Sequence, residues 1–309
     1  MTYNLLVLLG PTAVGKTEVA VQTAARLRGE VLSGDSRQVY RGMDIGTGKD
    51  LEDYTVNGVT IPCHLIDIAE AGEKYNVYQY QKDFFAAYND ICRRGKTPVL
   101  CGGSGMYIEA VTRGYNLPDV PADPRLRSRL EQKSSEELIT LLKSLKTLHN
   151  TTDIDTRQRT IRAIEVAIYQ KEHPSPQEPF PAIHALFVGL WLPREQRRER
   201  ITQRLHSRLQ NGLVEEVERL LQQGIPAADL VYYGLEYKFV TLYLLHKTGY
   251  DEMVERLNIA IHQFAKRQMT WFRGMERKGI PIHWLDASLP MEEKIDAILQ
   301  LYQVGKFNF

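Results

Sequence analysis

Asn4-Leu5-Leu6-Val7-Leu8-Leu9-Gly10-Pro11-Thr12-Ala13-Val14-Gly15-Lys16-Thr17 is the stretch that decides the fold. Leu5 to Leu9 reads as a buried strand, Gly10 to Thr17 fits G-x-x-x-x-G-K-[ST], and Thr17 to Leu27 continues as an amphipathic helix. In that setting the two glycines let the loop curl so that its backbone N–H groups point inward, and the helix presents its N-terminus to an anion. Lys16 adds a mobile positive charge, and the Thr17 hydroxyl is the expected ligand of Mg²⁺. The candidate phosphate-binding residues are Gly10, Pro11, Thr12, Ala13, Val14, Gly15, Lys16 and Thr17. Such a cradle recognises phosphate oxygens, not what they are attached to, so the loop alone specifies a polyphosphate, most often a nucleotide.

Working outward, apolar runs alternate with helical stretches over the first hundred residues: Val31 to Ser33, a helix near Tyr78 to Arg93, then Val99 to Cys101. This alternation predicts an α/β fold, a P-loop NTPase-like parallel sheet flanked by helices. Leu117 to Pro124 is rich in helix and strand breakers, and the next strand-like run is Ala185 to Leu190. A helical insertion domain is therefore expected at 118–182, within a core made of 1–117 and 183–309. The proline-rich stretch His173 to Pro181 closes the insertion. Ile280 to Leu285 reads as a last strand, and Met291 to Val304 as a terminal helix.

The chain has 309 residues, 43% hydrophobic and 25% charged, enough for a large core. Its apolar start is too short to span a bilayer and lacks the features of a signal peptide, so a cytoplasmic protein with no membrane association is expected. Cys63, Cys92 and Cys101 show no metal or disulfide spacing. The net charge of +1 does not by itself indicate a nucleic-acid binder. Local clusters carry that question: Arg194, Arg197, Arg198, Arg200, Arg204 and Arg208 form one, and Lys266, Arg267 and Arg273 another. Each reads equally well as a solvated helix face or as a polyanion contact.

Three further groups fall at predicted strand ends, where ligands bind in open α/β sheets. Asp35, in Ser33-Gly34-Asp35-Ser36-Arg37-Gln38, can hold a metal ion or accept a proton. Asp67 reads either as a carboxylate near a metal or as a turn cap, and His64 as a structural histidine. Gly102-Gly103-Ser104-Gly105 is a flexible turn that carries a hydroxyl.

Six segments, in order, resemble the tRNA dimethylallyltransferases: GPTAVGKT at Gly10 to Thr17, SGDSRQVYRGMDIGTGK at Ser33 to Lys49, CHLIDI at Cys63 to Ile68, GGSGMY at Gly102 to Tyr107, DTRQRTIRAIEV at Asp155 to Val166, and AKRQMTWFR at Ala265 to Arg273. The resemblance implies that the loop grips the diphosphate of dimethylallyl diphosphate. It further implies that Asp35 is the general base toward an adenosine amine and that Lys16, Thr17 and Ser104 are catalytic; Arg37 is close enough in sequence to help keep Asp35 ionised. Asp35, Ser36, Arg37, Gln38, Ser104, Arg127, Gln158, Arg159, Thr160, Ile161 and Arg162 match tRNA-binding positions. The implied partner is the anticodon stem-loop of tRNA, the implied cofactor Mg²⁺, and a monomer is expected. The chain departs from the family at Val231-Tyr232-Tyr233-Gly234-Leu235-Glu236, where many relatives carry Arg-x-x-Gly-Tyr followed by a basic residue. Adenylate isopentenyltransferases, small-molecule kinases and a tRNA-binding protein without catalysis are the competing readings; the insertion and the AKRQMTWFR segment favour a macromolecular acceptor.

Overall fold

Leu5, Leu6, Val7, Leu8 and Leu9 are all fully buried, as a strand needs to be when it has neighbours on both edges and helices on both faces. This strand, β1 (Leu5–Leu9), runs through the glycine loop into α1 (Lys16–Arg26). The computed structural model describes residues 3–115, 117, 119–146, 152–173 and 180–307. Pro118 and residues 174–179, parts of the two breaker-rich stretches, lie outside the described residues. After β1 come β2 (Glu30–Ser33), a hairpin of β3 (Thr55–Val56) and β4 (Val59–Thr60), β5 (Cys63–His64), β6 (Pro98–Gly102), β7 (Ala185–Trp191) and β8 (Ile282–Asp286). Six strands form one sheet in the order β5-β2-β6-β1-β7-β8, and every pairing in it is parallel. The predicted α/β parallel sheet is thus observed.

Alternation along β1 divides the core into two layers. Leu6 and Leu8 pack with Val19 and Ala20 of α1 and with Ile298 near the C-terminus. Leu5, Val7 and Leu9 face Phe84 of α2 (Val77–Arg93), Ile108 of α3 (Gly105–Thr112) and Phe272. Asn76 starts α2 with a capping box in which its side chain accepts from the Gln79 N–H and the Gln79 side chain reaches back.

Residues 116–180 form a compact unit of their own, and 1–115 with 181–309 form the other. The smaller unit holds α4 (Pro124–Leu130), α5 (Ser135–Leu145) and α6 (Arg157–Glu172) around Leu130, Leu138, Leu142, Ile161 and Ile164. Asp123 and Ser134 cap the first two of these helices through their side chains.

The remaining helices of the larger unit are α7 (Arg194–Gln210), α8 (Leu213–Gln222), α9 (Ala227–Tyr232), α10 (Leu235–Leu244), α11 (Tyr250–Arg277) and α12 (Met291–Phe307). Among the described residues no helix is long and apolar enough to cross a membrane. A third core joins α7, α8, α10 and α11 to the loop after β2 through Val39, Tyr40 and Met43. Buried Glu216 of α8 pins that loop: its carboxylate accepts from the backbone N–H groups of Asp44, Ile45 and Gly46 and from the Tyr237 hydroxyl. Replacing Glu216 by Ala leaves four donors without partners, two of them buried, the Gly46 N–H and the Tyr237 hydroxyl, at about 1–3 kcal/mol for each buried one. Glu216→Ala is expected to lower the unfolding free energy by about 3 kcal/mol or more, measured by urea denaturation.

Candidate active site at the carboxyl edge of the sheet

Register brings three loops to one edge. Leu9 pairs with Gly102 and with Gly189, and Ser33 pairs with Cys101. The loops that begin at Gly10, Gly34 and Gly103 therefore start level with one another. The Gly34 N–H donates to the Cys101 carbonyl at 2.7 Å. A Cβ at residue 102 would lie 2.3 Å from the Gly34 oxygen, so only glycine fits there. This closeness lets the Ser36 N–H donate to Ser104 Oγ at 3.1 Å, with the two hydroxyls 3.3 Å apart.

In the phosphate loop, Gly15 (φ 81°) and Ala13 (φ 64°) both adopt the left-handed region. The alanine does so at a cost of about 1–2 kcal/mol, strain of the kind found at ligand clamps. Lys16 Nζ donates to the Pro11 carbonyl at 2.8 Å. Burial pushes its ammonium down to about 8, with the charge of Arg204 acting in the same direction and Asp35 against it. Thr17 lies in the first turn of α1, half-buried. Among the described residues no cluster of three or more His, Cys, Asp or Glu could cage a metal ion. A hydroxyl beside a phosphate loop instead suits a cation carried largely by phosphate oxygens, the usual mode for Mg²⁺.

Asp35 follows β2. Its Oδ1 accepts from the Arg37 backbone N–H at 2.9 Å, and its own N–H donates to Ser33 Oγ at 3.3 Å. Gln38 fixes the other side of the turn by accepting from Ser33 Oγ and donating to the Gly48 carbonyl. The Arg37 guanidinium donates to the Tyr232 carbonyl at 2.9 Å and lies 5.3 Å from the centre of the Tyr232 ring. Asp67 pairs with the fully buried Lys49, which also holds Asp44 at 2.6 Å. His64 is structural, with Nε2 2.7 Å from Glu30.

Two residues have partners at the site that the sequence does not show. Gln268 of α11 accepts from the Thr12 N–H at 2.9 Å and donates to the Gly103 carbonyl at 3.0 Å, tying the phosphate loop to the Ser104 turn. Arg204 of α7 pairs with Asp50 and adds a cation within electrostatic reach of Lys16. Gln268 sits in a quoted motif, but only three-dimensional proximity reveals its partners. Arg208 likewise turns inward, to Glu236 at 3.1 Å. The rest of that arginine cluster points elsewhere: Arg194, Arg197 and Arg198 line a groove of about 540 Å³ with Lys266. There burial, with Arg194 and Arg273, holds Arg197 below the usual guanidinium value.

Within the smaller unit, buried Glu165 accepts from Arg127 Nε at 3.0 Å and Nη2 at 2.8 Å, and also pairs with Arg162. Gln158 and Arg159 are exposed in the first turn of α6. Thr160 and Ile161 are both buried, Thr160 Oγ1 donating to the Thr156 carbonyl and Ile161 facing the unit's core.

Because an ammonium but not an amine attracts an anion, affinity for inorganic diphosphate should fall as pH rises through about 8, the free-protein value of Lys16. Titration calorimetry checks this, and Lys16→Met should remove that limb of the pH profile. Gln268→Ala should lower stability by about 2 kcal/mol, because it leaves the Thr12 N–H and Gly103 carbonyl unpaired. Gln268→Glu, which sets a carboxylate beside the loop, should weaken diphosphate binding roughly tenfold.

The IPP transferase family model matches residues 38–275. The chain is 60% identical to tRNA dimethylallyltransferase 1 of Porphyromonas gingivalis over 96% of this chain and 99% of that one. It is 59% identical to tRNA dimethylallyltransferase 2 of Bacteroides fragilis over 96% and 97%. Among solved structures, the full-length tRNA isopentenylpyrophosphate transferase of Bacillus halodurans is similar, with TM-score 0.71 and 31% identity over 99% of this chain and 98% of that one. Matched over nearly its whole length, in sequence and in fold, the chain belongs to the IPP transferase family, the tRNA dimethylallyltransferases.

Proposed function

We propose that this protein transfers the dimethylallyl group of dimethylallyl diphosphate to the exocyclic amine of the adenosine 3′ of the anticodon in tRNA, releasing diphosphate. The observation that carries the reading is the common sheet edge, where a diphosphate cradle, a carboxylate and a hydroxyl turn start level with one another. Family membership and the names of the relatives support the same chemistry.

Ionisation of the allylic C–O bond moves negative charge onto the departing diphosphate. Lys16 and the loop amides meet that charge, so they stabilise the transition state more than the ground state. Mg²⁺, held by the Thr17 hydroxyl and the diphosphate oxygens, would supply further neutralisation of the leaving group. The adenine nitrogen then bonds to the allylic carbon, and Asp35 takes the proton that the amine loses. An aryl amine is a weak acid, so this proton leaves with or after bond formation. Ser104 and Ser36 hold hydroxyls on the acceptor side of Asp35. The target base has to leave its stack to reach this edge. Within the larger unit, the groove lined by Arg194, Arg197, Arg198 and Lys266 suits phosphates of an anticodon stem-loop. We take the protein to act in the cytoplasm as a monomer; its three cysteines are free thiols, in keeping with a reducing compartment.

Incubation with Mg²⁺, dimethylallyl diphosphate and unmodified tRNA, followed by nucleoside mass spectrometry, should yield isopentenyladenosine. Lys16→Ala and Asp35→Ala should each reduce the yield at least 100-fold, on the order expected for removing a charge stabiliser or a general base. Product from AMP and none from tRNA would replace this reading with an adenylate enzyme.

A further inference from the structure

A site that grips a diphosphate gains affinity from cations, so a carboxylate set against it works in the opposite direction. Asp50 is such a carboxylate. It pairs with Arg204 of α7. Burial is the main influence lowering the Lys16 ammonium, and beside it Arg204 acts downward and Asp50 upward, so both lie within electrostatic reach of the phosphate loop. A second carboxyl crowds the same place: Asp53 is held above its usual value, by burial first and then by the charge of Asp50. A cradle for an anion thus has acidic groups built beside it.

The Asp50–Arg204 contact is fixed from both sides. Lys49, immediately before Asp50, is fully buried and held by Asp44, Asp67 and the Tyr40 carbonyl. Asp50 itself adopts the left-handed region at φ 43°, and its carbonyl accepts from the Asp53 N–H at 3.0 Å. Residues other than glycine keep that conformation where their surroundings enforce it, as at ligand sites. Two residues earlier, a Cβ on Gly48 would lie 1.8 Å from Arg208 Nη2 and 2.6 Å from Arg204 Nη2. The missing side chain leaves the space that the two guanidinium groups occupy.

We propose that Asp50 sets how tightly the site holds diphosphate: paired with Arg204, it keeps that guanidinium beside Lys16 and offsets part of its charge, so that the product diphosphate can leave. The inference rests on the transfer reading above and adds a residue that tunes the leaving-group side of the site. Breaking the allylic C–O bond leaves more negative charge on the diphosphate than it carried as an ester, so uncompensated cations that favour ionisation also retain the product. Pairing lowers the net attraction while the guanidinium stays oriented, which preserves the preorganised part of its effect.

The test uses the full chain and two variants, Asp50→Asn and Asp50→Gly, which both remove the charge and both tolerate a positive φ. Titration calorimetry with inorganic diphosphate should show each variant binding about tenfold more tightly than wild type, the effect of removing one negative charge near a multiply charged anion. The gain should shrink as salt is raised. In turnover with dimethylallyl diphosphate and tRNA, the KM for the donor should fall and kcat should fall with it, as slower release of diphosphate comes to limit the cycle. A role confined to keeping the loop in shape gives weaker binding in both variants; that result overturns the proposal, and so does affinity equal to wild type. Tighter binding by Asp50→Asn alone also overturns it, because it would indicate a hydrogen bond from the amide and not the loss of a charge. If wild type binds diphosphate but forms no isopentenyladenosine in tRNA, the functional reading fails and the calorimetry still decides the charge effect. If it forms the product and both variants bind diphosphate as wild type does, only the role of Asp50 fails.

Discussion

The site depends on one backbone approach, that of Gly34 to Gly102. Parallel strands pair through evenly spaced hydrogen bonds, so their register sets which loops emerge together. Here β2 and β6 stay paired past their last regular residues, because neither Gly34 nor Gly102 has a side chain to separate them. The hydroxyl of Ser104 can then reach the amide of Ser36, and the acceptor side acquires its shape from the sheet and not from flexible loops. Gln268 extends the arrangement across β1 by linking the Ser104 turn to the phosphate loop.

Much of this was legible in the sequence. The strand, glycine loop and helix at the start of the chain and the parallel α/β sheet follow from periodicity and from glycine spacing, which are local properties. What escaped was non-local. Arg37 stands two residues from Asp35, and sequence distance suggested that its charge acts there; the fold offered the guanidinium a carbonyl and an aromatic ring on α9, 195 residues away. Gln268 is 256 residues from Thr12, and nothing about a glutamine in a helix reveals that both ends of its amide are used. The arginine cluster on α7 was ambiguous because one helix can turn its residues to several environments. Arg204 and Arg208 find carboxylates, whereas Arg194, Arg197 and Arg198 line a groove.

Several polar residues of the motifs prove to be scaffolding. Lys49 and Asp67 lie in segments that look chemical, yet they form one cluster with Asp44 around the buried Lys49 ammonium, which also donates to the Tyr40 carbonyl. A lysine with no solvent contact has to be paired, since an isolated buried charge is far costlier than the pair. With Glu216 on the opposite side, these groups hold the loop after β2 rigid, and Asp35 with it.

Glu165 has a similar consequence in the smaller unit. One carboxylate there is shared by two guanidinium groups, Arg127 and Arg162, so the trio carries a single net positive charge and not two. Long arginine side chains lose about 2 kcal/mol of rotamer freedom when fixed, and here that loss belongs to folding, not to ligand capture. A ligand arriving at this surface meets a fork whose spacing is already set. Such a surface attracts anions only weakly at a distance and selects among them by the shape of the fork on contact.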